Sequence, residues 1–252
     1  ITGQHELLHK TFCGSVKVLT EVLELSHPDV FSRTHAVQNI LEQLMAKLGV
    51  DERWEYKLAA QLANVGCVVA PSVTNNGEME HVAGAGVISP KQAEAGKRLV
   101  THIPRLKTVA DIVGRHASAN GQFPDPSSSE EALITAGATL VRAVIELDSV
   151  VREGVAQKAA VGEVSTRMPS LADKVVQAMQ DLDTSVSQTT ADLEAVEVTP
   201  LQLSEGMVLA EHVTRCDGSI LLSSGTRLTQ AFVEKLHNLS ETIDLTPIFV
   251  YS

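Results

Sequence analysis

Apolar residues recur every three to four positions through most of the chain, separated by short polar stretches. That period marks amphipathic helices. The first run covers residues 1–26, where Leu8, Phe12, Val16, Leu19 and Leu23 form a stripe. "SHPDV" interrupts it, and Pro28 suits the first turn of a second helix. That helix is predicted to run to about Gly49, a fitting C-terminal cap. Asp51 is placed to cap a third helix, which carries "LAAQLANVGCVVAP" as far as Pro71. Trp54, Leu58, Leu62, Val65 and Val69 fall on one face of it, while Ala59, Ala60, Ala63, Gly66, Cys67 and Ala70 fill the rest with small groups. A helix that is apolar nearly all round is a central one, closely packed by its neighbours.

The stretch "PSVTNNGEMEHVAGAGVISP" reads as a loop, and Ser89-Pro90 opens the next helix. "HIPRL" starts another, and "SANGQFPDPSSS" is a second loop. Ser128 and Glu131 have capping-box spacing and open a helix that runs through about Glu153. Shorter helices fill 155–182, and "DTSVSQTTADLE" is a polar linker. From about Glu194 the pattern changes. "GMVLAEHV" and "GSILLS" are short β-type runs joined near Asp217-Gly218, "TQAFVEKLHNL" is helical, and "PIFVYS" is a last strand. The predicted fold class is mainly α, with a connecting helix at 1–26, a helical domain at 27–182 and a small mixed α/β module at 194–252.

Composition narrows this picture. The 252 residues are 44% hydrophobic but only 3% aromatic, so the core must be aliphatic, which suits packed helices. The net charge of −11 disfavours nucleic-acid binding through a general basic surface. Cys13, Cys67 and Cys216 are odd in number and far apart, which argues against a disulfide framework and fits a reducing cytoplasm. No apolar run reaches membrane-spanning length and no signal peptide is legible, so no membrane partner is expected. The chain opens at Ile1 without Met, and the expectation is that a further domain precedes it.

Three short motifs compete for attention. "HELLH", His5 to His9, has the zinc-protease spacing, but it sits on a connecting helix without a third ligand. "EAGKR" fails as a phosphate loop, because Lys91 stands where the first Gly is needed and Arg98 follows Lys97. Lys97, Arg98, Arg105, Lys107 and Arg115 make one locally basic region. Two readings of it stay open: a contact for an anionic ligand or partner, or charges on solvated helix faces.

The order of a helix with His35, the central helix, "IPRLKTVADIVGRH", "NGQFP" and "AGATLVRAVIELDSV" resembles the HD-GYP branch of the HD-domain metal-dependent phosphohydrolases over residues 28–155. The wider arrangement, including "LSEGMVLAEHVTRCDGSILLSSGTRLTQAFVEKLHNL", resembles bacterial two-component response regulators that carry a receiver domain ahead of a degenerate HD-related output domain. The resemblance implies an HD-like helical bundle. It also implies a two- or three-metal site that hydrolyses cyclic di-GMP in the intact enzymes.

Carried over position by position, the resemblance puts the first ligand histidine at His35 and the paired His-Asp at Ala63 and Asn64. The following Gly is Gly66, and the catalytic Lys becomes Cys67. The next ligand histidine aligns with Gln92; of an adjacent His pair, His116 remains beside Ala117. The signature Asp-Gly becomes Asn120-Gly121, and the loop shortens to Phe123-Pro124. The late metal-binding Asp falls near Ile145, while Asp148 matches a second family Asp. Too few donors survive for a bridged metal cluster. His35, His116 and Asp148, or Glu146 in its place, would hold one metal weakly; otherwise His35, Asn64, His116 and Asp148 line a former ligand pocket.

The first expectation is therefore a non-catalytic regulatory output domain with no cofactor and no catalytic residues, acting through contacts with an unknown protein partner under an upstream receiver domain. The stripe at 1–26 is either a homodimer seam or packed within its own domain. The alternatives are a weak cyclic di-GMP phosphodiesterase using Mn, Fe or Zn, and a nucleotide-binding sensor without catalysis.

Overall fold

The computed structural model describes residues 14, 16, 18–20, 22–23, 31, 34–50, 52–70, 72–73, 79–80, 88–152, 154–182, 195–214, 220–222, 224, 226–240 and 247–251. The chain divides into two compact units, residues 33–192 and residues 1–32 together with 193–252.

The larger unit is helical. Its elements are α1 (Thr34–Leu48), α2 (Trp54–Leu62), α3 (Pro90–Thr101), α4 (Lys107–Arg115), α5 (Glu130–Arg152), α6 (Gln157–Arg167) and α7 (Asp173–Gln180). Two-residue strands β1 (Ser72–Val73) and β2 (Met79–Glu80) pair antiparallel in the stretch read as a loop. The long helix α5 is the centre: Ala136, Ala138, Leu140, Val141, Ala143, Val144, Leu147 and Val150 are all buried. It packs against α1, α2, α4 and α6. Tyr56 is the largest fully buried side chain. Its hydroxyl donates to the Leu133 carbonyl at 2.9 Å, and burial pushes its phenol pKa up. Its ring fits because position 137 is glycine, where a Cβ would meet the ring at 2.5 Å.

The helix ends follow local chemistry. Gly49 closes α1 with φ of 67°, a left-handed conformation that glycine adopts at no steric cost. Ser89 caps α3 in a complete capping box with Gln92, and Pro90 occupies its first turn. Two caps differ from expectation. The residue before α2 is Arg53, which makes no side-chain cap, and Asp51 lies outside the described residues. The hydroxyl that serves the start of α5 belongs to Ser129, which accepts from the Ala132 amide at 3.1 Å, while Ser128 bonds back to the Asp125 carbonyl.

The central helix is also shorter than predicted. It stops at Leu62, turns at Ala63 and Asn64, and continues as a 3-10 turn at Val65–Val68. The turn sits tightly against α3. A Cβ at Gly66 would stand 1.9 Å from the Gln92 carbonyl oxygen and 2.7 Å from the Gly96 amide nitrogen. The turn thus lies backbone to backbone on α3. Val69, predicted to share the buried face of Leu58 and Leu62, is exposed as a result.

In the other unit, a three-stranded antiparallel sheet has the order β3 (Ala195–Val198), β7 (Ile248–Tyr251), β4 (Val208–Leu209). Strand β5 (Val213–Thr214) pairs with β6 (Ile220–Leu222), consistent with the predicted hairpin, whose turn lies outside the described residues. Helix α8 (Gln230–Ser240) supplies Phe232, Val233 and Leu236 to a core shared with Leu209, Leu222, Ile248 and Val250. Strand β3 has no counterpart in the predicted elements: its burial pattern is almost wholly exposed, so no alternation marks it. The stripe of residues 1–26 divides. Val16 is buried, whereas Leu19, with Val18 and Val22, is exposed. Leu8, Phe12 and the "HELLH" motif lie outside the described residues, as does the linker at 183–194.

The close crossing at Gly66 gives a test. Gly66→Ala is expected to destabilise the protein by about 3 kcal/mol, the upper end of overpacking costs. Gly162→Ala on α6, where nothing lies within 4 Å of the added carbon, is expected to stabilise by about 0.5–1 kcal/mol. Urea denaturation of both variants measures the difference.

Candidate functional site

The residues nominated by sequence have different environments. His35 lies in α1, with its side chain outside the described residues. Ala63 is buried and offers no donor atom. Asn64 is half-buried at the start of the 3-10 turn, where its carbonyl accepts the Cys67 amide at 3.0 Å. Cys67 is half-buried and forms no disulfide among the described residues. Gln92 is buried, and its Oε1 accepts from the Ser89 amide at 2.9 Å and the Ser89 hydroxyl at 3.0 Å. That oxygen closes the end of α3. Ala117 is half-buried, and Asn120 Oδ1 accepts from the Gln122 amide at 3.1 Å, shaping its own loop. Ile145 and Asp148 are buried on α5.

His116 begins the 3-10 turn His116–Ser118 that follows α4, and it is 2% exposed. Its Nδ1 lies 2.6 Å from the Val113 carbonyl oxygen. A carbonyl can only accept, so Nδ1 carries the proton and Nε2 holds a bare lone pair. Nε2 is buried with no hydrogen-bond partner. Burial, above all, pulls the pKa from 6.5 down to about 4; the Val113 carbonyl opposes this, and the Arg142 guanidinium adds to it.

Beside this histidine lies a charged group within the apolar helix α5. Arg142 donates from Nη1 to the Ala119 carbonyl at 2.7 Å. Its Nε is 3.6 Å from Oε1 of Glu146, one turn along. Glu146 is 1% exposed, and its other oxygen accepts from Arg167 Nη1 of α6 at 2.9 Å. The segment 119–123 is tied down on two sides. Thr139 of α5 donates to the Gln122 carbonyl at 2.7 Å, and the Gly121 carbonyl accepts the Ala172 amide at 3.1 Å. Gly121 has φ of 99°, and a Cβ there would meet the Leu171 backbone at 2.4 Å. Phe123 is buried beneath Lys174, whose Nζ stands 4.5 Å from the ring centroid.

Sequence reasoning passed over Arg142 and Arg167. One signal was available: Arg142 and Glu146, spaced i,i+4, are charges in an otherwise apolar helix. The basic region is partly spent internally. Lys97 pairs with Asp111 at 2.9 Å, and Arg115 pairs with Glu131, while Arg98, Arg105 and Lys107 are exposed. A groove of about 770 Å³ lies between the α1–α2 connection and the 123–127 loop, lined by Arg53, Trp54, Glu55, Phe123, Asp125 and Lys174 among others. Among the described candidates, Asn64, His116 and Asp148 do not line it.

An HD-type metal centre needs several imidazole and carboxylate donors at one point. Among the described residues, no three His, Cys, Asp or Glu side chains converge in that way. His116 Nε2 is a suitable single donor, but Ala63 has none to give, Asn64 is neutral, Gln92 Oε1 is engaged in its cap, and Glu146 is held by arginines. The described donors therefore do not fit a multinuclear centre.

The chain belongs to the HD-domain family: a family model described as an HD domain matches residues 17–162, from before α1 into α6. No curated protein and no solved structure matches the chain. Among the described residues, no helix is long and apolar enough to cross a membrane.

The neutral burial of His116 predicts a pH dependence. Its folded pKa, about 4, lies below the unfolded value of 6.5, so the unfolded chain takes up the proton first. The stabilising difference is fully present above pH 6.5 and is lost as pH falls from 6.5 to 4. It amounts to roughly 3 kcal/mol, from about 1.4 kcal/mol per pKa unit. Urea midpoints between pH 7.5 and 4 should drop accordingly, and His116→Gln should flatten that part of the profile.

Proposed function

We propose that this HD-domain chain is a non-catalytic regulatory module, derived from the HD-GYP type, that acts through protein contacts as the output part of a bacterial two-component response regulator. The observation that carries the reading is the fate of the donor positions. Where intact enzymes would present ligands, this chain has Ala63, Asn64 and Gln92, and the Gln92 oxygen is committed to capping α3. Two imidazoles and one carboxylate, even if all were brought together, would not make the bridged cluster that activates water against a phosphodiester. The fastening of the 119–123 segment by Thr139, Arg142 and Ala172 supports the same view, since a pinned loop is poorly suited to opening for a nucleotide.

The mechanism that follows is indirect. Phosphorylation of a receiver domain in the full-length protein would change the angle or pairing of the helical segment at 1–26, and with it the surface offered to a protein partner. Exposed Val18, Leu19 and Val22 are the natural contacts for such pairing, including a homodimer. The mode requires neither a membrane nor a nucleic acid, and it places the protein in the cytoplasm.

One observation favours a second reading. The unprotonated, unpartnered Nε2 of His116 is the form of histidine that binds metal, so a weak phosphodiesterase using His35, His116 and Asp148 with Mn, Fe or Zn is the competitor. Purified protein assayed with cyclic di-GMP and each of these metals should give no hydrolysis above the protein-free control. Sustained turnover that disappears in His116→Ala would reject the non-catalytic reading.

A further inference from the structure

Glu146 poses a problem that its surroundings solve. A carboxylate buried on an apolar helix is costly unless both oxygens meet positive or hydrogen-bonding partners. Glu146 is 1% exposed, and each of its oxygens faces a different guanidinium. Oε2 accepts from Arg167 Nη1 at 2.9 Å, and Oε1 is 3.6 Å from Arg142 Nε. The two arginines arrive from different directions, Arg142 from one turn back on α5 and Arg167 from α6. Each has a further tie. Arg142 Nη1 donates to the Ala119 carbonyl at 2.7 Å, and Arg167 Nη2 lies 3.6 Å from Glu163.

We infer that Arg142 and Arg167 form a permanent, covalently attached counter-charge for the Glu146 carboxylate, taking the electrostatic place that a divalent cation would take in a metal-binding HD fold. Arginine suits the task because it stays charged at all working pH values and presents a rigid fork of donors. A cation placed on Glu146 would have to displace at least one guanidinium and would feel the repulsion of the other. The Ala119 bond extends the effect to the loop after His116: the side chain that neutralises the carboxylate also holds the loop. Both arginines keep part of their surface in water, with side chains 20% and 37% exposed, so they avoid the full cost of burying a charge. The statement about cations rests on the metal-free reading above; the clamp itself stands on the geometry alone.

The experiment is a pair of double-mutant cycles read by thermal unfolding, with cobalt(II) as the metal probe. Arg142→Gln and Glu146→Gln should each lower Tm by about 6–12 °C, as expected for breaking a buried pair in a chain of this size. The double variant should retain at least about 5 °C more than the sum of the single losses predicts. Arg167→Gln with Glu146→Gln should show the same sign of coupling; Arg167 approaches Glu146 from α6, where it also pairs with Glu163, so this second cycle stays informative if Arg142→Gln fails to fold. Cobalt(II) should give wild-type protein neither a Tm shift nor a visible absorption band that depends on Glu146. Additive losses in both cycles would overturn the clamp, and a cobalt band abolished by Glu146→Gln would overturn the substitution for a cation. Cyclic di-GMP turnover with the coupling intact would sink the functional reading and leave the clamp standing.

Discussion

A helix of 23 residues that is apolar around most of its circumference has no face to give to water, so it can exist only where other helices surround it. In this chain α5 imposes that demand, and α1, α2, α4 and α6 meet it. Two details make the enclosure tight. Gly137 admits the Tyr56 ring against the α5 backbone, and Tyr56 then reaches the Leu133 carbonyl with its hydroxyl. On the far side of the bundle, Gly66 and Gly96 let the 3-10 turn lie directly on α3. Among the polar groups on α5, Thr139, Arg142 and Glu146 each have a named partner on another segment. They fasten the neighbouring loop and the following helix, so the polar interior contributes placement while the apolar one contributes cohesion.

Much of this architecture could be read in advance, because helical periodicity is a local property of the chain. Apolar spacing marks α1, α5 and α8, although α1 is expected from Pro28 onward; α6 and α7 fall in the 155–182 stretch expected to hold shorter helices, and the Ser89-Pro90 cap follows from turn chemistry. The central helix was legible in type but not in length. Nothing local in "ANVGCVV" announces a break, and the close approach of Gly66 to the Gln92 carbonyl beside it links residues far apart in sequence. The move from Ser128 to Ser129 as the cap of α5 is a shift of one position within a run of serines, where sequence alone has nothing to choose between them.

The site was legible in a different way. The resemblance located the positions where ligands are expected, and the residues standing there are read directly from the chain. What those residues do instead was not visible. Gln92 as the reciprocal partner of Ser89, Asn120 as the organiser of its own turn, and Arg142 as a brace between α5 and the 119–123 segment are geometric facts. Each depends on which way a side chain turns, which neither spacing nor composition records. His116 is the clearest case: the sequence offers an imidazole, but only the Val113 contact fixes which nitrogen is protonated.

The capping box at α3 also bears on what position 92 can tolerate. Gln92 Oε1 receives both the amide and the hydroxyl of Ser89, and the Ser89 hydroxyl in turn accepts the Gln92 amide. Without that oxygen the Ser89 amide and hydroxyl lose their acceptor, so exchanging this one side chain would loosen the start of the helix. The seal of a helix end thus hangs on the identity of a single side chain, and any residue at 92 that lacks such an acceptor leaves the first turn of α3 open.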